Sequence, residues 1–233
     1  MSYWKSGKDW KYGGKGKVKR VEKEQLKLYL VTDSTGLSEE VFLSKVEAAL
    51  KGGVSFLQIR EKDRFTLEYI ELTKKVHDIS RRYNVPLVVD DRVDVAMATD
   101  VEGVHLGQSD MPVDVARKLL GENKIIGATA KTVEQAKIAR EMGADYIGVG
   151  AIYPTTTKVK TIITSVDTLR DICEKVDIYA NAIGGLNKDN IDVLKGVPIA
   201  GICVVSAIMK ADDPYLATKE LLQKIDKLEI GKG

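Results

Sequence analysis

Residues 56–62 read Phe56-Leu57-Gln58-Ile59-Arg60-Glu61-Lys62, an apolar run that turns polar at alternate positions and ends in charge. Side chains alternate across a strand, so Leu57 and Ile59 share one face while Gln58 and Arg60 share the other. On both sides of this stretch the spacing becomes helical. Over Ser38–Leu50, residues Phe42, Val46, Ala49 and Leu50 fall at i, i+4, i+7 and i+8 and form one apolar stripe. Thr66–Tyr83 continues downstream with similar spacing.

A strand flanked by helices is one β-then-α unit, and the unit recurs along the chain. Strands are predicted over Leu26–Asp33, Val54–Glu61, Val85–Asp91, Gly103–Gly107, Lys124–Thr129, Ala144–Gly150, Ile178–Gly184 and Ile199–Ser206. Further helices are predicted over Val133–Met142, Val166–Val176, Asp189–Leu194 and Pro214–Leu228. Gly52-Gly53, Gly121 and Gly143 stand where helices end, and Pro112 and Pro214 where they begin. Eight strands alternating with eight helices describe an α/β protein of the (β/α)8 TIM-barrel class. An open doubly wound sheet is the alternative. Closure is favoured because no G-x-G-x-x-G follows the first strand and because polar residues end nearly every strand instead of gathering at one switch point.

At 233 residues with 44% hydrophobic and 30% charged side chains, the chain can bury a core. Disorder, fibrous repeats and disulfide-stapled miniproteins are excluded as classes. No run of about 18 uncharged apolar residues suggests a membrane span, and the first twenty residues lack the apolar centre of a secretory signal. Cys173 and Cys203 are far apart, and with only His77 and His105 to join them a zinc site is not expected. A reducing cytoplasm is the expected compartment. The first twenty residues carry six lysines and one arginine against Asp9, a net +6, so the overall +2 leaves the remainder at −4. This divides the chain into a basic N-terminal extension, 1–25, and one barrel domain, 26–233. The acidic body argues against a nucleic-acid partner, leaving small molecules and an open question of homo-oligomerisation.

The strand ends carry the chemistry. In a barrel wrapped by helices, Leu57 and Ile59 face outward, Gln58 and Arg60 face the lumen, and Lys62 follows at the mouth. A buried cation lacking a partner is costly, which points to an anionic ligand. The third strand ends Asp90-Asp91-Arg92 and the fourth runs into Gly107-Gln108-Ser109-Asp110. Asp91 and Asp110 can converge on Mg²⁺, which takes one or two carboxylates and fills its shell with water and phosphate oxygens. Asp110 can alternatively cap the helix beginning near Pro112. Cations, lysine and a carboxylate pair together suit a pyrophosphate held through Mg²⁺. The sixth strand leads into Tyr153-Pro154-Thr155-Thr156-Thr157-Lys158, three hydroxyls and a lysine on a long loop. Gly184-Gly185 and Val205-Ser206 end the last two strands, where this class of barrel often holds a phosphate on backbone amides; a tight turn needing glycine is the alternative. His77 reads as solvated and His105 as a satisfied core histidine. No Ser/His/Asp triad is recognisable.

Taken in order, the stretches LYLVTD, ALKGGVSFLQIREKD, VPLVVDDRVDVA, GVHLGQSDMP, IIGATAKTVEQA, GADYIGVGAIYPTTTK, AIGGLN and VVSAI resemble the thiamine phosphate synthase family from Leu28 to about Pro214. The resemblance implies an enzyme that joins 4-amino-5-hydroxymethyl-2-methylpyrimidine pyrophosphate to hydroxyethylthiazole phosphate, releasing thiamine phosphate and pyrophosphate by a dissociative route. It implies that Gln58, Arg60 and Lys62 contact the pyrimidine substrate and its pyrophosphate. Asp91 and Asp110 would hold Mg²⁺, and Thr129 stands where the family usually has serine, near the pyrimidine. Thr155, Thr157, Gly185, Val205 and Ser206 would bind the thiazole phosphate, with Lys158 reaching the pyrophosphate. Three departures stand out: Asp90 replaces the usual asparagine, Thr129-Ala130-Lys131 replaces Ser-Ala-His, and Val159-Lys160-Thr161 replaces the usual Lys-Asp continuation. A thiazole tautomerase, which would not need the pyrophosphate and metal set, and a catalytically silent ligand sensor are the competing functions.

Overall fold

Eight short strands lie parallel and close on themselves: β1 (Leu28–Val31), β2 (Phe56–Ile59), β3 (Leu87–Asp90), β4 (Gly103–Leu106), β5 (Ile125–Ala130), β6 (Tyr146–Gly150), β7 (Tyr179–Ile183) and β8 (Gly201–Val204). β1 pairs with β2 at Tyr29↔Phe56 and with β8 at Tyr29↔Cys203, which closes the ring. The computed structural model describes residues 20–155 and 162–231. The barrel is therefore the fold, and the open sheet is ruled out by the β1–β8 pairing.

The strands read as nearly continuous apolar runs because both of their faces are covered. Leu28, Leu30, Leu57, Ile59, Leu87 and Val89 belong to the layer between barrel and helices. The alternate residues Tyr29, Val31, Phe56, Val88, Ile125, Tyr146 and Cys203 fill the barrel itself. Tyr29, Phe56 and Tyr146 meet edge to face, with ring centroids 4.8–5.8 Å apart. Gly127 makes room for them: a Cβ there would lie 2.2 Å from the Tyr146 ring and 2.6 Å from His105 Nδ1. Each such buried aromatic or aliphatic side chain contributes about 1.5–3 kcal/mol. These rings form a floor within the barrel interior.

Around the barrel run α1 (Glu39–Gly52), α2 (Thr66–Arg82), α3 (Val93–Thr99), α4 (Val113–Leu120), α5 (Val133–Glu141), α6 (Val166–Lys175), α7 (Ser206–Met209) and α8 (Pro214–Lys227). α1 starts with Ser38 Oγ accepting from the Val41 amide and ends at Gly53, whose φ of +112° glycine tolerates. α8 starts on Asp213 followed by Pro214. The segment predicted as a helix over Asp189–Leu194 is instead one 3-10 turn, Ile191–Leu194. α4 lies between Pro112 and Gly121, the predicted helix start and end, whereas α3, which starts at Arg92 with no side-chain cap bond, and the single turn α7 had no predicted place. No helix among the described residues is long and apolar enough to cross a membrane.

Residues just ahead of the predicted division at residue 25 also pack on the barrel. Val21 and Leu26 are buried, and Arg20 reaches across 125 residues to Asp145, Nη1 to Oδ1 at 2.8 Å, and also pairs with Glu122. Asp145 is in turn held by Arg117 Nη2 at 2.7 Å and by the Ile126 amide at 2.8 Å. Residues 20–25 are therefore part of the barrel's base. The rest of the basic extension, residues 1–19, lies outside the described residues.

Candidate active site

A cavity of about 230 Å³ opens above the aromatic floor, at the C-terminal ends of the strands. On its β2–β3 side stand Gln58, Arg60 and Asp90; Thr129 and Lys131 come from β5 and the residue after it; Thr155 follows β6. Gly185, Val205 and Ser206, from the ends of β7 and β8, form the opposite wall. Eight residues named from sequence thus share one cavity. Lys62, Asp91 and Asp110 do not line it but sit on its rim, tied to it through Asp90. Thr157 and Lys158 lie outside the described residues.

Alternation places Gln58 and Arg60 inward as expected, but they are not waiting unpaired for an anion. Asp90 meets them: Gln58 Nε2 donates to Oδ1 at 2.8 Å, and Oδ2 lies 3.6 Å from Arg60 Nε and 2.8 Å from Lys62 Nζ. Lys62 also pairs with Asp91. An unpaired cation therefore does not identify the ligand of Arg60, because a carboxylate of the protein already occupies that place. Burial above all, and then the charge of Asp91, raises the Asp90 pKa against the opposing pull of Lys62 and Arg60.

Asp91 and Asp110 lie within hydrogen-bonding reach of each other, and each shifts the other's ionisation. For Asp91, burial opposes ionisation but is outweighed by the hydrogen bonds from Asp110 and Lys62, so its pKa is lowered. Burial, and then the Asp91 hydrogen bond and charge, raises that of Asp110. As pH falls, Asp110 is therefore the first of the two to take a proton. Two close carboxylates that would otherwise repel suit a hard divalent cation completing its shell with water or phosphate oxygens. No cluster of three or more His, Cys, Asp or Glu suited to a metal occurs among the described residues. Asp110 does not cap α4; its Oδ2 accepts from the Gly107 amide at 2.8 Å and folds the loop that brings it to Asp91.

Beneath the cavity runs a chain of side-chain hydrogen bonds that the sequence did not reveal. Tyr29 Oη donates to Gln58 Oε1 at 3.0 Å and lies 2.9 Å from Tyr146 Oη. Tyr146 Oη is 3.2 Å from His105 Nδ1, and His105 Nε2 is 3.1 Å from Thr129 Oγ1. With the Tyr29 proton given to Gln58, Tyr146 donates to Tyr29 and accepts from His105 Nδ1, leaving Nε2 to accept from Thr129. Burial pushes both phenols well above their usual pKa and keeps them as donors. The Gln58 amide is thereby oriented with its nitrogen toward Asp90. The available sequence signal was parity, since Tyr29 and Tyr146 fall on the inward-facing set. His105 is the satisfied core histidine expected. His77 is not solvated: Nε2 lies 3.1 Å from Glu102 Oε1, and the other Glu102 oxygen accepts from the Leu87 amide.

On the far wall Gly184 and Gly185 have φ of +105° and +65°. A Cβ on Gly185 would lie 2.8 Å from the Pro154 carbonyl oxygen, so close approach of the loop after β6 requires glycine whatever binds there. The backbone angles thus account for the glycine pair as a turn, and Gly185 lies beside Val205 and Ser206 on the cavity wall.

The thiamine monophosphate synthase family model matches residues 28–208. The chain is 49% identical over 208 residues to thiamine-phosphate synthase 2 of Streptococcus pneumoniae serotype 4, covering 89% of this chain and 99% of the relative. It is 48% identical over 199 residues to the thiamine-phosphate synthase of Methanobrevibacter smithii, covering 85% and 95%. Among solved structures, thiamine phosphate pyrophosphorylase from Pyrococcus furiosus superposes with a TM-score of 0.81 at 40% identity, covering 88% of this chain and 98% of that one. With the closed barrel, the paired rim and a match across nearly the whole described body, the chain belongs to the thiamine monophosphate synthase family and is a transferase.

Proposed function

We propose that the protein condenses 4-amino-5-hydroxymethyl-2-methylpyrimidine pyrophosphate with hydroxyethylthiazole phosphate by a dissociative route. The bond between the pyrimidine methylene carbon and the diphosphate oxygen breaks, and the electron pair leaves on the diphosphate. The thiazole nitrogen lone pair then forms the new carbon–nitrogen bond. No protein nucleophile is needed, in keeping with the lack of a recognisable triad, so positioning and electrostatics supply the catalysis.

The observation that carries this proposal is the juxtaposition of Lys62, Arg60 and the adjacent Asp91–Asp110 pair along one edge of a cavity whose other wall is Gly185, Val205 and Ser206. Asp91 and Asp110 would hold Mg²⁺, which when bound supplies charge neutralisation to the diphosphate. Lys62 and Arg60 would exchange Asp90 for diphosphate oxygens. Gln58 and Thr129, fixed by the chain of hydrogen bonds below them, would orient the pyrimidine. Thr155, Gly185, Val205 and Ser206 would receive the thiazole phosphate, with Thr157 and Lys158 expected to join from the same loop. Both cysteines are free thiols, which supports a reducing compartment such as the cytoplasm.

Purified protein supplied with both substrates and Mg²⁺ should form thiamine phosphate and pyrophosphate in equal amounts. Absence of both products, with the fold intact, would overturn the proposal; thiazole isomerisation alone would replace it with the tautomerase.

A further inference from the structure

Arg60 and Lys131 are the lysine and arginine residues among the described lining of the cavity, and their surroundings differ. Arg60 faces Asp90, and Lys62 on the rim is shared by Asp90 and Asp91. Lys131 is half-buried at the residue following β5, and among the described residues its ammonium has no carboxylate within ion-pair reach. Its backbone is nonetheless held. The Lys131 amide donates to Gln135 Oε1 at 2.8 Å, and the Gln135 amide to Thr132 Oγ1 at 3.2 Å, so the start of α5 fixes the residue's backbone. A cation in a concave wall with no counter-charge raises the local potential for an incoming anion.

We propose that Lys131 is a further substrate-binding residue, whose ammonium takes an oxygen of a bound substrate's phosphate. The inference rests on the transferase activity proposed above and adds to it a residue outside the QIREK, GQSD and YPTTTK motifs. β5 pairs with β6 at Ala130↔Val149, which sets Lys131 beside Gly150 and on the way to Thr155. It stands between the charged edge at β2–β4 and the glycine-and-hydroxyl wall at β6–β8. The shared chemistry is a phosphate oxyanion, with two sources: the monoester of the thiazole substrate or the diphosphate of the pyrimidine.

The test uses the full chain and the variants Lys131→Ala and Lys131→Arg, with each substrate varied in turn at saturating levels of the other. The expected result is a KM raised about tenfold or more for one phosphorylated substrate in Lys131→Ala, restoration to within about threefold in Lys131→Arg, and an unchanged melting temperature. A raised KM for the thiazole phosphate identifies the monoester, and one for the pyrimidine substrate the diphosphate. Unchanged KM values for both, or a loss in Lys131→Ala that arginine does not restore, would overturn the inference while leaving the condensation intact. Should the wild-type chain form no product, titration with inorganic phosphate and with pyrophosphate decides the matter separately. Weaker binding of either by Lys131→Ala supports the anion site, and equal binding of both refutes it.

Discussion

On the edge formed by β2, β3 and β4, Arg60, Lys62, Asp90 and Asp91 are joined in ion pairs, with Asp110 beside Asp91. The wall formed by β6, β7 and β8 offers glycine backbone, hydroxyls and apolar side chains, with no charge among its described lining residues. The first half must break internal ion pairs to accept a ligand, and only a highly charged group can offset that cost. The second can accept an anion through backbone amides without removing an ion pair. A leaving diphosphate suits the first half, and a phosphate that only anchors its substrate suits the second.

The largest expected effect comes from removing a cation of the charged edge. Lys62→Ala or Arg60→Ala should lower turnover by about 10²–10³-fold with the melting temperature nearly unchanged, as read by product formation and thermal unfolding. Full activity in either would dissolve the contrast between the two halves. Gly185→Ala probes the neutral wall. A side chain at φ +65° meeting the Pro154 carbonyl should cost about 1–2 kcal/mol of stability and raise the KM for thiazole phosphate while sparing that for the pyrimidine substrate. Equal changes in both KM values would show that the wall is not a separate subsite. Asp90→Asn should have a smaller effect, with turnover preserved or raised a few-fold, because the carboxylate competes with diphosphate for Lys62 and Arg60. Abolished activity would make Asp90 a required ligand. Deleting residues 1–19 should leave kinetic constants unaltered, and a large loss would give the basic extension a role.

The barrel was legible because strands covered on both faces read as apolar runs, and because α1, α2 and α8 announce themselves by periodicity and length. α4 was bounded by Pro112 and Gly121, but α3 was not legible, since Arg92 supplies no capping hydrogen bond and the helix is short. Within the site, parity in Phe56–Lys62 gave the inward set directly, and the strand-end motifs gave Asp91, Asp110 and Gly185. The engagement of Lys62 by Asp90 depends on how two neighbouring strand ends lean toward each other, which no local pattern records. The same holds for the Tyr29–Tyr146–His105 chain, where residues 117 and 41 positions apart meet through the barrel's interior.

Calorimetric titration with inorganic pyrophosphate tests most directly whether the charged edge, with Mg²⁺ that Asp91 and Asp110 would hold, grips a diphosphate. The wild-type protein should bind pyrophosphate when Mg²⁺ is present and at least tenfold more weakly with chelator, a difference of about 1.4 kcal/mol, and Asp91→Asn with Asp110→Asn should abolish the dependence on the ion. Equally tight binding in chelator, or Mg²⁺-dependent binding that survives loss of both carboxylates, would contradict it.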